Sequence, residues 1–288
     1  MQPVIMIIGA GAMGAAVGRR LAEHGATVMC ALAGRSEASV ARARAAGMRP
    51  AQDAKAGEAE FVLSIIPPGE AVATAERFAP ILAVSAKKPT FVDCNAVNPE
   101  TVAHVAAAIE RTGCGFVDAG IIGGPPKEGY KGPTFYASGP RAVDFAGLAQ
   151  FGLKIHLLDG PVGAASAVKM SYAGITKGIT ALAAAMMLAA SRAGTADDLR
   201  AELDQSQPAL LAWFDRQIPQ MYAKAYRWVA EMDEIAAFVG EDAAAHSIFD
   251  GTARVYEQLA QDYAGDKAEI AALEAFLGRA AGSVKAAE

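Results

Sequence analysis

The chain has 288 residues, 53% of them hydrophobic and 20% charged, with a formal net charge of −5 at pH 7. This length suits two domains, and this composition a packed globule rather than a disordered chain. The acidic balance lacks the basic face that phosphate-backbone binding requires, which excludes nucleic acid as a partner.

Residues 4–14, Val-Ile-Met-Ile-Ile-Gly-Ala-Gly-Ala-Met-Gly, place a buried-strand signal directly before Gly9-x-Gly11-x-x-Gly14 and an Ala-rich helical run. This is the start of a dinucleotide-binding βαβ unit. Gly9 permits the tight turn, Gly11 lets the backbone approach a pyrophosphate, and Gly14 lets the helix pack close to the strand. The N–H groups opening that helix, around Ala10, Ala12 and Met13, have no intrahelical acceptor and offer an anion site. No basic n-region or small-residue cleavage site precedes the turn, so no secretory signal is expected.

The second strand ends in Val28-Met-Cys-Ala-Leu-Ala-Gly34-Arg35-Ser36. An NAD-preferring unit carries an Asp or Glu here, about 20 residues after the glycines, to bind the ribose hydroxyls. No carboxylate occurs before Glu37. Arg35 suits a charge-assisted fork to a 2′-phosphate, and Ser36 adds a hydroxyl. NADP(H) is therefore expected over NAD(H). The plainer roles are a solvated loop charge for Arg35 and a helix N-cap for Ser36.

Apolar runs at 4–8, 27–32, 61–66, 90–93, 115–118 and 134–138 alternate with helical patterns at 12–23, 36–47, 69–84, 98–110 and 141–149. The alternation predicts crossover units and a mostly parallel sheet. After residue 160 every pattern is helical. A proline-free stretch at 162–193, rich in Ala and Met, predicts one long interdomain helix, and further helices are predicted at 206–221, 222–239, 242–264 and 266–280. The expected architecture is an α/β Rossmann-like domain over 1–160 and an all-α domain over 161–288. The least polar stretch, 178–191, lies between Lys177 and Arg192 and is shorter than the ~20 residues of a membrane span, so no membrane is expected. Cys30, Cys94 and Cys114 lack metal-ligand spacing and are expected as reduced core thiols of a cytoplasmic protein; no metal site is predicted.

Five motifs in order resemble the β-hydroxyacid dehydrogenase superfamily, which includes 3-hydroxyisobutyrate and 6-phosphogluconate dehydrogenases. They are the Gly9 turn, Ile65-Ile66-Pro67-Pro68, Val92-Asp-Cys-Asn95-Ala-Val-Asn98-Pro99, Asp118-Ala-Gly-Ile-Ile122-Gly123-Gly124, and Gly160-x-x-Gly163-x-x-x-x-x-Lys169. The details are similar to a branch whose C-terminal helical domain has no assigned function. The resemblance implies that Lys169, on the first turns of the interdomain helix, exchanges a proton with the substrate oxygen while hydride passes to or from the nicotinamide. An alkoxide left by hydride addition needs such a donor. It also implies that Ile66 and Pro67 wall the cofactor and that Asn95 orients the nicotinamide carboxamide or binds substrate, unless Asn95 is only a turn residue. Backbone N–H groups at Gly123 and Gly124 would anchor a substrate acid group.

Two departures leave the substrate open. Tyr172 and Ala173 stand where the superfamily carries Asn, with Tyr172 either a phenolic donor or a core aromatic. Gly120 and Ile122 replace Pro and Ser; Ile122 together with Tyr172 implies a more apolar pocket, and the phosphate-binding Arg and Lys of the 6-phosphogluconate branch have no match here, which disfavours a small phosphorylated sugar acid. Lys177, two turns beyond Lys169, is placed to meet a substrate carboxylate. Glu231, where relatives carry Lys, is expected to bind an amine, an imine or a hydroxyl donor, or to pair with Arg227 on a solvated helix. His246 reads as a structural residue. The expected protein is an NADPH-dependent oxidoreductase acting on a small-molecule carbonyl or hydroxyl substrate. The alternatives are an imine reductase or reductive aminase, and a non-catalytic NADP(H)-binding sensor. The resemblance further implies a homodimer through the helical domain.

Overall fold

The computed structural model describes residues 2–130 and 132–278. It divides into two compact units, one ending at Met170 and one beginning at Ser171.

The first unit runs β1 (Val4–Ile8), α1 (Ala12–Glu23), β2 (Thr27–Ala31), α2 (Glu37–Ala45), β3 (Arg49–Ala51), β4 (Phe61–Ser64), α3 (Ala71–Ala83), β5 (Thr90–Asp93), α4 (Pro99–Glu110), β6 (Gly115–Ile122), β7 (Thr134–Ser138), α5 (Ala142–Ala146), β8 (Lys154–Leu157), and then α6 (Ala164–Ala193) begins. One eight-stranded sheet has the order β3-β2-β1-β4-β5-β6-β7-β8. Strands β1 to β6 are parallel, and β7 is antiparallel to β6. The strand order reverses between β1 and β4, and a crevice for a dinucleotide opens at such a switch point.

Burial on both faces explains why β1 reads as an unbroken apolar run. Ile5 and Ile7 join the core under α1 and α5, while Met6 and Ile8 join the core under α3 and α4. Strand β3 escapes periodicity because it is three residues at the sheet edge, Arg49-Pro50-Ala51, and an edge is where Pro is tolerated.

The second unit holds the rest of α6, α7 (Ala196–Ser206), α8 (Pro208–Met221), α9 (Ala225–Phe238), α10 (Ala243–Ala264) and α11 (Ala268–Phe276). The predicted long helix is present at 30 residues. Helix α7 is additional to the predicted set; none of its residues is buried, so it carries no apolar stripe. Residues 279 and 280 of the predicted last helix lie outside the described residues. Gly174 lets α6 approach its neighbours, since a Cβ there would stand 3.1 Å from Phe249 of α10 and 3.3 Å from Ile235 of α9. His246 is exposed on α10 and takes no part in that core. By length and composition alone α6 is long and apolar enough to cross a membrane, and 44% of its most apolar window is buried within the protein.

Candidate functional site

The turn after β1 has the form that a dinucleotide requires. Gly9 sits at φ +98°, and a Cβ there would stand 2.3 Å from the Ile65 carbonyl and 2.7 Å from Ile66 Cγ2. A Cβ at Gly14 would fall 2.0 Å from the Gly9 carbonyl, so only glycine lets α1 pack this close. Gly11 is different. It caps α1 without a side-chain hydrogen bond, it is exposed, and a Cβ there would meet nothing within 4 Å. The open space lies beside bare helical N–H groups, which fits a pyrophosphate. Ala12 and Met13 open α1 at this point.

Asn95 is 4% exposed and holds the next strand ends together. Its Oδ1 accepts from Ile66 N at 2.8 Å, its Nδ2 donates to Ser64 Oγ at 3.0 Å, and its own N–H donates to Asp93 Oδ1 at 2.8 Å. The side chain thus shapes the wall at Ile66. Pro67 follows it, exposed, before a short 3₁₀ turn that carries Glu70.

At the end of β2, Ser36 caps α2, its Oγ accepting from Ser39 N at 3.3 Å. Arg35 Nη1 lies 3.6 Å from Glu70 Oε2 across a recess of 310 Å³ that Thr74 and Arg77 also line. Glu70 is half exposed and the pair is long, so solvent screens it.

Lys169 lies on the second turn of α6, partly buried. Two features of β6 seat it. Asp118, 1% exposed, accepts hydrogen bonds from Gly163 N at 2.9 Å, Ser166 N at 3.0 Å, Ser166 Oγ at 2.8 Å and Ser138 Oγ at 3.1 Å, so it caps α6 from across the chain. Burial pushes its carboxyl above the usual range, against the opposing pull of those donors. A Cβ on Gly120 would stand 2.8 Å from the Ala165 carbonyl and 3.0 Å from Lys169 Cβ. Glycine in the superfamily's Pro position therefore brings Lys169 directly against β6.

Ile8, Ser64, Asp93 and Asp118 form one row across the parallel strands. Gly120 is two residues past that row, on the same edge as the Gly9 turn and three strand spacings away, about 14 Å. Beyond it, Ile122 is half-buried, and Gly123 and Gly124 are exposed. Gly123, at φ +122°, faces the Tyr130 hydroxyl, 2.8 Å from where a Cβ would stand. Tyr130 is held there by a tight turn, with reciprocal bonds of 3.2 and 3.0 Å between the Lys127 and Tyr130 backbones.

The cysteines carry no nucleophile. All three are buried and unpaired, and burial pushes Cys30 to about 11 and Cys94 well above the usual thiol range.

In the second unit Glu231 is buried and pairs with the Lys177 ammonium, which also lies 4.7 Å from the Trp228 ring centroid. Tyr256 donates to the Lys177 carbonyl at 2.6 Å, and burial, with Glu231 nearby, pushes its phenol up. The pairing of Glu231 is thus with Lys177 rather than Arg227, and the Lys177 ammonium already has a carboxylate. Tyr172 is 50% exposed, which rules out the core-aromatic role.

Residues 4–149, half of the chain, match the model of the NAD binding domain of 6-phosphogluconate dehydrogenase. The chain belongs to this family, within the β-hydroxyacid dehydrogenase superfamily. Residues 190–259 match a domain of unknown function, as expected of the branch with an unassigned helical domain. An uncharacterized 28.5 kDa protein of Methanothermus fervidus is 28% identical over 182 residues, 62% of this chain and 68% of that protein. A conserved protein of unknown function, whose structure is described as similar to 3-hydroxyacid dehydrogenases, is 28% identical with a TM-score of 0.65, over 89% of this chain and 99% of that one. The 3-hydroxyisobutyrate dehydrogenase of Mycobacterium tuberculosis shares the fold at 20% identity and a TM-score of 0.73, over 96% and 99% of the two chains.

Of the residues expected from sequence, the structure brings together Gly9, Gly14, Ile66 and Asn95, with Gly11 on the same turn, and separately seats Lys169 against β6. The roles of Asp118, Ser138, Ser166, Tyr130, Ser39, Arg42 and Glu70 are not apparent from sequence. Ser36, Ser39 and Arg42 carry a readable signal, since three polar residues at a spacing of three share one helix face. Asp118 carries none, because its partners are distant in sequence, and the approach of Tyr130 to Gly123 follows no spacing rule.

Proposed function

We propose that the protein is an NADP(H)-dependent oxidoreductase that interconverts a carbonyl and a hydroxyl on a hydroxyacid-like or larger substrate, with Lys169 as the acid and base. The observation that carries this reading is the seat of Lys169 against Gly120, on the sheet edge that also carries the Gly9 turn.

The bound cofactor supplies or takes the hydride. As a carbonyl is reduced its oxygen gains negative charge, and the Lys169 ammonium gives it a proton and is left as a neutral amine that water reprotonates. In the other direction the neutral amine takes the hydroxyl proton. The backbone N–H groups of Gly123 and Gly124 are available to a substrate acid group, and Asn95 keeps Ile66 in place as the cofactor wall. Arg35 and Ser36 support the preference for NADP(H), there being no carboxylate between the end of β2 and Ser36 to repel a 2′-phosphate.

The test is Lys169→Ala. General acid–base catalysis is worth about 10²–10⁴-fold. Turnover with 2- or 3-oxo acids is expected to fall by that factor, with the Kd for NADPH unchanged within about twofold, and cyclic imines assayed beside them on the wild-type protein test the imine reading. Wild-type turnover in the variant overturns the role of the lysine. The imine reading drew on the carboxylate of Glu231, and the ion pair with Lys177 weakens that support. The partner proposed for the helical region is a second copy of this chain, seated on an exposed apolar row of α6.

A further inference from the structure

We infer that Arg42, with Ser39, completes a clamp for the 2′-phosphate of the bound cofactor, which makes Arg42 a specificity-determining residue for NADP(H) over NAD(H). The inference rests on the NADP(H) reading above. Arg42 lies on the second turn of α2, on the face of Ser36 and Ser39. Its Nε donates to the Ala10 carbonyl at 3.0 Å, and its Nη2 donates to Ser39 Oγ at 3.0 Å. Ser36 Oγ in turn donates to Ser39 Oγ at 3.1 Å.

Those partners locate the guanidinium. Ala10 is the residue between Gly9 and Gly11 in the pyrophosphate turn, and Ser36 follows the position where an acidic residue meets the ribose 2′-OH in an NAD-binding unit. A group bonded directly to Ala10, and to Ser36 through Ser39, spans the interval in which the ribose 2′ position must fall. Its planar fork and the Ser39 hydroxyl, which only accepts in these bonds, supply donors for phosphate oxygens.

Charge balance separates Arg42 from the more obvious Arg35. Arg35 already faces Glu70 at 3.6 Å. Among the described residues Arg42 pairs with no carboxylate, and its guanidinium N–H groups beyond these two bonds have no acceptor. A 2′-hydroxyl offers such a group one neutral bond, whereas a phosphate offers charge and several acceptors. The contribution of Arg42 therefore falls on the phosphorylated cofactor.

The test uses adenine-half probes, so that the readout is binding and not activity. Calorimetry on the full chain gives Kd for 2′,5′-ADP and for 5′-AMP. Arg42→Ala is expected to weaken 2′,5′-ADP by about 10- to 100-fold, the worth of a charge-assisted hydrogen bond, and 5′-AMP by less than about twofold. Ser39→Ala is expected to weaken 2′,5′-ADP by about two- to fivefold. Arg42→Lys, which keeps the charge and loses the fork, should fall between wild type and Arg42→Ala, and covers the case in which the alanine variant fails to fold. Equal weakening of both probes in Arg42→Lys and Arg42→Ala would mean that Arg42 only braces the glycine turn, and would overturn this inference while leaving the NADP(H) reading on Arg35. A wild-type protein that binds 2′,5′-ADP no better than 5′-AMP would overturn both.

Discussion

Asp118 sits in the same row of the sheet as Ile8, Ser64 and Asp93, yet its carboxylate serves α6: it accepts from two backbone N–H groups and one hydroxyl of that helix start, plus Ser138 from β7. Lys169 follows Ser166 by three residues, so the direction of its side chain depends on that cap. Removing a buried acceptor leaves its donors desolvated and unpaired, at about 1–3 kcal/mol each. Asp118→Ala is therefore expected to lower stability by about 3 kcal/mol or more, read from the urea midpoint at constant slope, because two of the orphaned donors are backbone N–H groups. Turnover should fall further than NADPH affinity, since the Gly9 turn is untouched. A loss below about 1 kcal/mol would mean that water replaces the carboxylate and that the cap does not set the helix.

At the scale of elements, α6 presents Val168, Tyr172, Ile175, Ile179, Leu182 and Met186 to solvent, with Ile175 and Leu182 each 64% exposed. Their spacing alternates four and three, the seam of a helix that packs on another helix. An exposed apolar row of this length marks an interaction surface, and a self-complementary row suits an isologous dimer. Leu182→Glu and Ile175→Glu are expected to shift the protein from dimer to monomer in sedimentation at micromolar concentration, with helical circular dichroism retained. A wild-type monomer under those conditions defeats the proposal. The sequence makes α6 and β1 readable because each is long or uniformly apolar, so its period survives. It hides β3, whose three residues pair through backbone alone, and α7, which buries nothing. The Gly9 turn is readable for a similar reason: its requirement is local, a positive φ and close approaches within a few residues. The partners of Asp118 lie 20, 45 and 48 residues away in the chain and that of Glu231 54, and no spacing rule connects them.

At the scale of the whole molecule, the chain carries a formal charge of −5 and is expected to hold a polyanionic cofactor. Net charge opposes that binding, so attraction has to come from local donors: the bare start of α1 for the pyrophosphate, and Arg35 and Arg42 at α2 for the 2′ position. Ligand that binds only the folded state stabilises it by RT ln(1 + [L]/Kd), about 2.7 kcal/mol at 100 times Kd. For a domain of about 150–250 residues that corresponds to a rise in Tm of roughly 5–10 °C. NADPH at 100 times its Kd is expected to give this rise, and NADH at the same concentration a far smaller one. Because the chain forms two compact units, the melt is expected to split if they unfold separately, and the shift then belongs to the transition of the first unit alone. Raising the salt concentration should erode the NADPH shift more than the NADH shift, since the additional contacts are between charges near the surface. Equal shifts with both cofactors, insensitive to salt, would remove Arg35 and Arg42 from cofactor selection and leave a dinucleotide fold that does not read the 2′ position.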